Sequence, residues 1–110
     1  MYCIKATYIP RNDMFFNETY YVDHHMPLAE RLLQGHVSFV RMAAEFDVTL
    51  LRDPNVVRSP CVYHLYVATL ADVEAFRRFL GGPMVQPLRD DMLVYTNCEC
   101  EWAVSRFTHD

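Results

Sequence analysis

Six patterned stretches in a fixed order constrain this chain more than any other property it has. Residues 2–9 are rich in β-formers and stop at Pro10, which reads as a first strand. Across residues 15–33 the period changes, with Tyr21, His25, Leu28 and Leu32 recurring at i, i+4, i+7 and i+11, the repeat of a helix that Gly35 closes. Residues 37–46 alternate again, with Phe39, Arg41 and Ala43 on one face and Val40, Met42 and Ala44 on the other. Residues 47–60, with Asp53-Pro54-Asn55 inside them, read as a hairpin-like excursion, and residues 61–69 as a third strand. Thr69 stands three residues before Asp72, an approximate capping box ahead of the apolar stripe Val73, Phe76 and Leu80. Gly81-Gly82-Pro83 stops that second helix. Residues 84–92 fit a short helical turn interrupted by Pro87, and residues 97–107 alternate as a last strand with Cys98, Cys100, Trp102 and Val104 on one side.

The order β-α-β-β-α-β is the ferredoxin-like arrangement, an α+β fold in which two helices cover one face of a four-stranded antiparallel sheet. The chain's 110 residues suit one such domain over residues 1–110. The helices cover only one face, so the other meets water or a partner. Along the first strand Tyr2, Ile4, Ala6 and Tyr8 alternate with Cys3, Thr7 and Ile9, so no clean polar face shows. The expectation is a homodimer with two sheets packed face to face. The Trp102 stripe must then enter either the core or that interface.

Composition removes several classes. Hydrophobic residues make up 52% and charged residues 22%, which excludes a disordered chain. No apolar run reaches the roughly 20 residues of a membrane span, and residues 1–10 hold no apolar signal core. A cytoplasmic protein with no membrane partner is expected. Ten basic against fourteen acidic residues, without basic clusters, argue against nucleic acid. The four cysteines lack the spacing of a disulfide framework or of paired zinc-ligand clusters, so reduced thiols and no metal are expected. With three glycines and no Gly-rich loop opening a helix, no nucleotide cofactor is expected either.

The run Tyr20-Tyr21-Val22-Asp23-His24-His25-Met26-Pro27-Leu28 is poor helix material on propensity. Pro27 cannot donate to the carbonyl of Asp23 and its ring crowds it, so a kink is expected there. Four-residue spacing pairs Tyr21 with His25 and Tyr20 with His24 on adjacent helix faces. A phenol and an imidazole side by side in a cavity can pass protons near neutral pH.

This run resembles the signature of the EthD family, named for ethyl tert-butyl ether degradation: a tyrosine pair, three variable residues, then His-x-Pro-Leu. The matching residues are Tyr20-Tyr21 and His25-Met26-Pro27-Leu28, with a weaker likeness in Arg89-Asp90-Asp91 and Tyr95 before the last strand. The resemblance implies a dimeric α+β barrel of two ferredoxin-like protomers. It also implies cofactor-free chemistry that rearranges, dehydrates, decarboxylates or oxidises aromatic and lactone intermediates. Residues 47–60 depart from the family, so pocket rim and substrate do not carry over.

The expectation is therefore an enzyme whose apolar pocket lies between helices and sheet and takes a small apolar or aromatic ligand. His25 serves as general acid or base and Tyr21 as its hydrogen-bond partner. Tyr20, His64, Tyr66 and Tyr95 are the candidate substrate contacts, with His64 placed in the same cavity on the sheet beneath the helix. His24 reads as exposed, and Arg41 as a solvated or interface residue. The rival reading is a non-catalytic ligand-binding accessory protein of the same fold. A further rival is a haem-binding member with His25 or His64 on the iron.

Overall fold

Strand β1, Tyr2–Tyr8, runs through the middle of the sheet and pairs antiparallel with a strand on each side. The computed structural model describes residues 1–108. After β1 comes helix α1 over residues 18–33, then β2, Arg41–Leu50, and β3, Asp53–Val67. Helix α2, Leu70–Gly81, a single 3₁₀ turn at Pro83–Val85 and helix α3, Gln86–Tyr95, follow. Strand β4, Cys100–Arg106, completes a four-stranded antiparallel sheet in the order β2-β3-β1-β4. This is the expected ferredoxin-like α+β topology, with a third helix added before the last strand.

Helix α1 absorbs Pro27 without breaking. Asn17 caps it by accepting from the Tyr20 backbone N–H at 3.0 Å. Residues Glu18–Tyr20 are α-helical, Tyr21–His25 form a π-helical turn, and Met26–Leu33 resume the α repeat. Within that turn the N–H of Met26 reaches the carbonyl of Tyr21. The irregularity expected as a kink is thus a widened turn just before Pro27, whose lack of an N–H costs nothing at the start of the following α segment. Gly35, at φ 84°, then takes the left-handed conformation that ends the helix.

Several expected boundaries move. The second strand begins at Arg41, not residue 37, and runs on to Leu50. The excursion at 47–60 is the far half of a long β2–β3 hairpin turning at Leu51 and Arg52, so Asp53-Pro54-Asn55 lies within β3 and not at the turn. Prolines are tolerated there because β1 accompanies β3 only from Val62 onward, and the β2–β3 pairing is bulged near Val48 and Thr49. Pro87 opens helix α3 instead of interrupting one. The Thr69–Asp72 capping box is complete, with each side chain bonded to the other residue's backbone N–H.

Register assigns the two sheet faces. Ile4 stands opposite Leu65 and Val104, and Ala6 opposite Tyr63 and Trp102, so these residues share the helix-covered face. One buried cluster there joins Ile4, Leu65, Val67, Leu33, Val73 and Phe76, and a second joins Tyr8, Tyr21, Cys61, Tyr95 and Cys98. The Trp102 stripe therefore belongs to the helix side and not to a sheet-to-sheet interface. The opposite face is more polar than the sequence pattern suggests. It carries Lys5, Arg41, Glu45, His64, Tyr66 and Glu101 around Cys3 and Val62. Among the described residues, no helix is long and apolar enough to cross a membrane.

Candidate active site

A cavity of about 490 Å³ lies between the helices and the sheet, within the range of small-molecule sites. Ala29 and Leu33 of α1, with Phe76 and Phe79 of α2, make most of its wall apolar, and the exposed Arg89 and Glu99 mark its rim. Polar groups inside the rim are few: His25 and Tyr21 from α1, and Tyr8, Tyr63, Cys100 and the Trp102 indole from the sheet. Arg89 gives its guanidinium to the carbonyl of Leu80 at 2.7 Å, which anchors it at the rim.

His25 is 7% exposed and held on both sides. Its Nδ1 lies 2.9 Å from Asp91 Oδ2, and its Nε2 lies 3.2 Å from the Tyr95 hydroxyl. The other Asp91 oxygen accepts from the Tyr20 hydroxyl at 2.6 Å. Burial pulls the His25 pKa down, and Asp91, which pulls the other way, does not restore it. Burial pushes the Asp91 carboxyl up, but the Tyr20 hydroxyl and the His25 ring outweigh it and hold the pKa below the usual value. The pair at neutral pH is thus a neutral imidazole against a carboxylate. Nδ1–H donates to Asp91, which leaves Nε2 as the acceptor for Tyr95 O–H. Tyr95, donating its O–H to His25, accepts from Tyr8, whose hydroxyl is 2.6 Å away.

The tyrosines stay protonated. Burial raises the pKa of Tyr8, Tyr95 and Tyr21 well above that of a free phenol. Tyr21 is 1% exposed, and its ring stacks on His25 with centroids 5.2 Å apart at 23°. Cys61 and Cys100 are not nucleophiles either, because burial pushes both thiols up to about 12. All four cysteines are free. Among the described residues, no group of three or more His, Cys, Asp or Glu side chains is gathered as a metal site.

The expected site residues divide. Tyr21 and His25 line the cavity together, but Tyr21 stacks on the imidazole and is not its hydrogen-bond partner, because Asp91 and Tyr95 take the two ring nitrogens. Tyr20 and Tyr95 lie behind them, Tyr20 on Asp91 and Tyr95 on the Nε2 of His25, so both support His25 instead of lining the cavity. His64 and Tyr66 do not share the cavity. Their strand positions alternate with Tyr63 and Leu65, which places them on the sheet face turned away from the helices. There His64 Nε2 meets Glu45 at 2.9 Å, its Nδ1 meets the Cys3 thiol at 3.4 Å, and Arg41 sits 4.3 Å over the Tyr66 ring. Both nitrogens of His64 are engaged, as are both of His25, so neither offers a free ligand to haem iron. Sequence reasoning missed Asp91, Tyr8 and Tyr63. The four-residue spacing of Asp91 and Tyr95 on α3, matching Tyr21 and His25 on α1, was the available signal.

Solved structures share this architecture at low sequence identity. An EthD-like protein from Ralstonia eutropha superposes with a TM-score of 0.74 at 14% identity, over 94% of this chain and 88% of its own. The chain has the EthD-like fold. An ethyl tert-butyl ether degradation family protein from Bacillus halodurans gives a TM-score of 0.63 at 11% identity, over 98% of this chain and 99% of its own. A variant of SnoaB, a cofactor-independent oxygenase from Streptomyces nogalater, gives 0.55 at 14% identity, over 97% and 94%. No protein-family model matches the sequence, and no curated protein does. The EthD-like fold is thus carried here by a sequence that shares 11–14% identity with these structures.

Proposed function

We propose that this chain is a cofactor-free enzyme that moves a proton on a small aromatic, quinone-like or lactone compound. Its setting is a catabolic or secondary-metabolic pathway in the cytoplasm. The observation that carries the reading is His25: neutral, buried and fixed in one tautomer by Asp91 on the wall of an apolar cavity. An uncharged imidazole with a lone pair on Nε2 is a base, and the adjacent carboxylate stabilises the imidazolium that forms. The fold it shares with EthD-like proteins and with a cofactor-independent oxygenase supports chemistry done by side chains alone. The four free thiols suit a reducing compartment.

Replacing His25 by Ala lowers turnover by roughly 10²-fold or more on the true substrate while the circular dichroism stays that of the folded protein. Full activity in that variant refutes the assignment. The rival reading, a ligand-binding accessory protein, draws on the engagement of both His25 nitrogens. It requires ligand binding with no turnover under any condition. We further propose a homodimer through the sheet faces, at the 1,200–2,000 Å² or so typical of a stable interface. Sedimentation at micromolar concentration then gives one species of twice 12.9 kDa, and a monomer refutes it.

A further inference from the structure

His25 cannot meet a substrate through either nitrogen without giving up a bond it already makes. Nδ1 is held by Asp91 at 2.9 Å and Nε2 by Tyr95 at 3.2 Å. Tyr95 in turn is fully buried and does not line the cavity. The hydrogen-bonded series leaves Tyr95 by its 2.6 Å contact with the Tyr8 hydroxyl, and Tyr8 does line the cavity. Tyr8 ends β1 and packs its ring against Tyr21 of the π-helical turn. Aromatic contacts fix its ring, with Phe16 at 5.1 Å, Tyr21 at 5.9 Å and Tyr95 at 6.1 Å between centroids.

We propose that Tyr8 is the catalytic group that touches the substrate's acidic hydrogen, and that Tyr95 relays the proton between Tyr8 and His25. This rests on the reading of His25 as the base. As the substrate's X–H bond breaks, its proton bonds to the Tyr8 oxygen, the Tyr8 proton passes to the Tyr95 oxygen, and the Tyr95 proton passes to His25 Nε2. The electron pair of the X–H bond stays on the substrate. Nothing is oxidised or reduced: a neutral acid and a neutral imidazole become an anion and an imidazolium beside Asp91. The bonds along the series then point the other way, so that His25 donates to Tyr95, Tyr95 to Tyr8 and Tyr8 to the new anion. The reverse passage returns the proton to a different atom of the substrate in an isomerisation. Two phenols that resist ionisation suit this task, because neither holds the charge on the way. The ligand class follows: an apolar ring compound with one acidic O–H or C–H presented to the floor of the cavity.

The test uses para-nitrophenol, an acidic ring compound whose O–H stands in for the substrate's, with ¹⁵N-labelled histidine to report on His25. At slightly acid pH, where the dye is mostly the neutral phenol, dye seated on Tyr8 donates to its oxygen, strengthens the series of hydrogen bonds behind it and moves the His25 Nε2 resonance. Tyr8→Phe and Tyr95→Phe each still bind the dye but lose that shift. A purely structural role for either hydroxyl would change melting temperature without uncoupling dye from histidine. If both variants keep the wild-type shift, the substrate reaches His25 directly. The relay is then wrong while His25 remains the base. A wild type that does not bind the dye, or binds it and leaves the His25 resonances unmoved, overturns the base and the relay together. Two isosteric variants at different links keep the test open if one of them folds poorly.

Discussion

Two buried phenols on the same sheet face should respond in opposite ways to the loss of one oxygen atom. Tyr63 is 5% exposed, and its hydroxyl is the one buried side-chain polar atom without a hydrogen-bond partner among the described residues. An unpartnered buried hydroxyl carries a desolvation penalty of about 1–3 kcal/mol, and an apolar replacement of the same shape removes it. Tyr63→Phe keeps the ring's edge contact with Trp102, at 6.4 Å between centroids, and opens no cavity larger than one oxygen. The expected gain is about 1 kcal/mol, or a rise in melting temperature of about 4 °C for a domain of this size. Tyr8→Phe removes a 2.6 Å hydrogen bond and strands the Tyr95 oxygen, which costs about 1–3 kcal/mol and a fall of similar or larger size. The assay is calorimetry or thermal circular dichroism at pH 7.5 and one fixed protein concentration, so that any self-association is held constant. A Tyr63→Phe variant that loses stability as Tyr8→Phe does would refute the reasoning, because it would mean that the Tyr63 hydroxyl has a partner.

Asp91→Asn removes the anion that opposes the burial of His25, so the His25 titration moves further below its ordinary value and turnover falls at least about tenfold. ¹⁵N titration of the variant checks the first half, and an unchanged midpoint would contradict it. The folded-state pKa of His25 is depressed, so its contribution to stability is complete above the unfolded value of 6.5 and is lost as pH falls from there toward the folded value. Asp91 adds a second loss below its unfolded value of 3.8, so unfolding midpoints in urea should slip in two stages on acidification. His25→Gln should abolish the first stage and shrink the second, because the His25 ring is one of the groups that hold Asp91 down. His64→Ala, on the far sheet face, should leave para-nitrophenol affinity within about twofold, and a larger loss would return His64 to the cavity side.

The elements whose signals are local could be read from the sequence, and those whose partners lie far along the chain could not. Thr69 and Asp72 are three residues apart, and their capping box is complete in the structure. Tyr21 and His25 are four apart and stack as the spacing requires. By contrast Asp91 meets His25 across 66 residues of chain, a contact that only the packing of α3 against α1 creates. Tyr8 looked like one more strand residue because nothing local separates a core phenol from one bonded to Tyr95. The face of His64 was misjudged for a related reason. Strand parity says that His64 and Tyr66 share a side, but only pairing with Ile4 and Ala6 through Leu65 and Tyr63 says which side that is. Pro54 and Pro60 read as turn formers, yet in a hairpin arm that has outrun its neighbour on one side they are ordinary strand residues.

The widened turn at Tyr21–His25 makes the site separable from the domain that carries it. It holds one residue more than the α turn that would fill the same length of axis, so the helix on either side keeps the phase it would have without it. Loss of a single codon among Val22, Asp23 and His24 would restore the α repeat and leave Glu18–Tyr20 and Met26–Leu33 in place, with Ala29 and Leu33 still on the core. The change would fall on Tyr21 and His25, then three residues apart instead of four and no longer stacked as they are. The sheet, the capping box and most of the buried surface would stay intact. A lineage carrying this fold can therefore rebuild the surroundings of His25 by a one-residue indel that spares the domain around it.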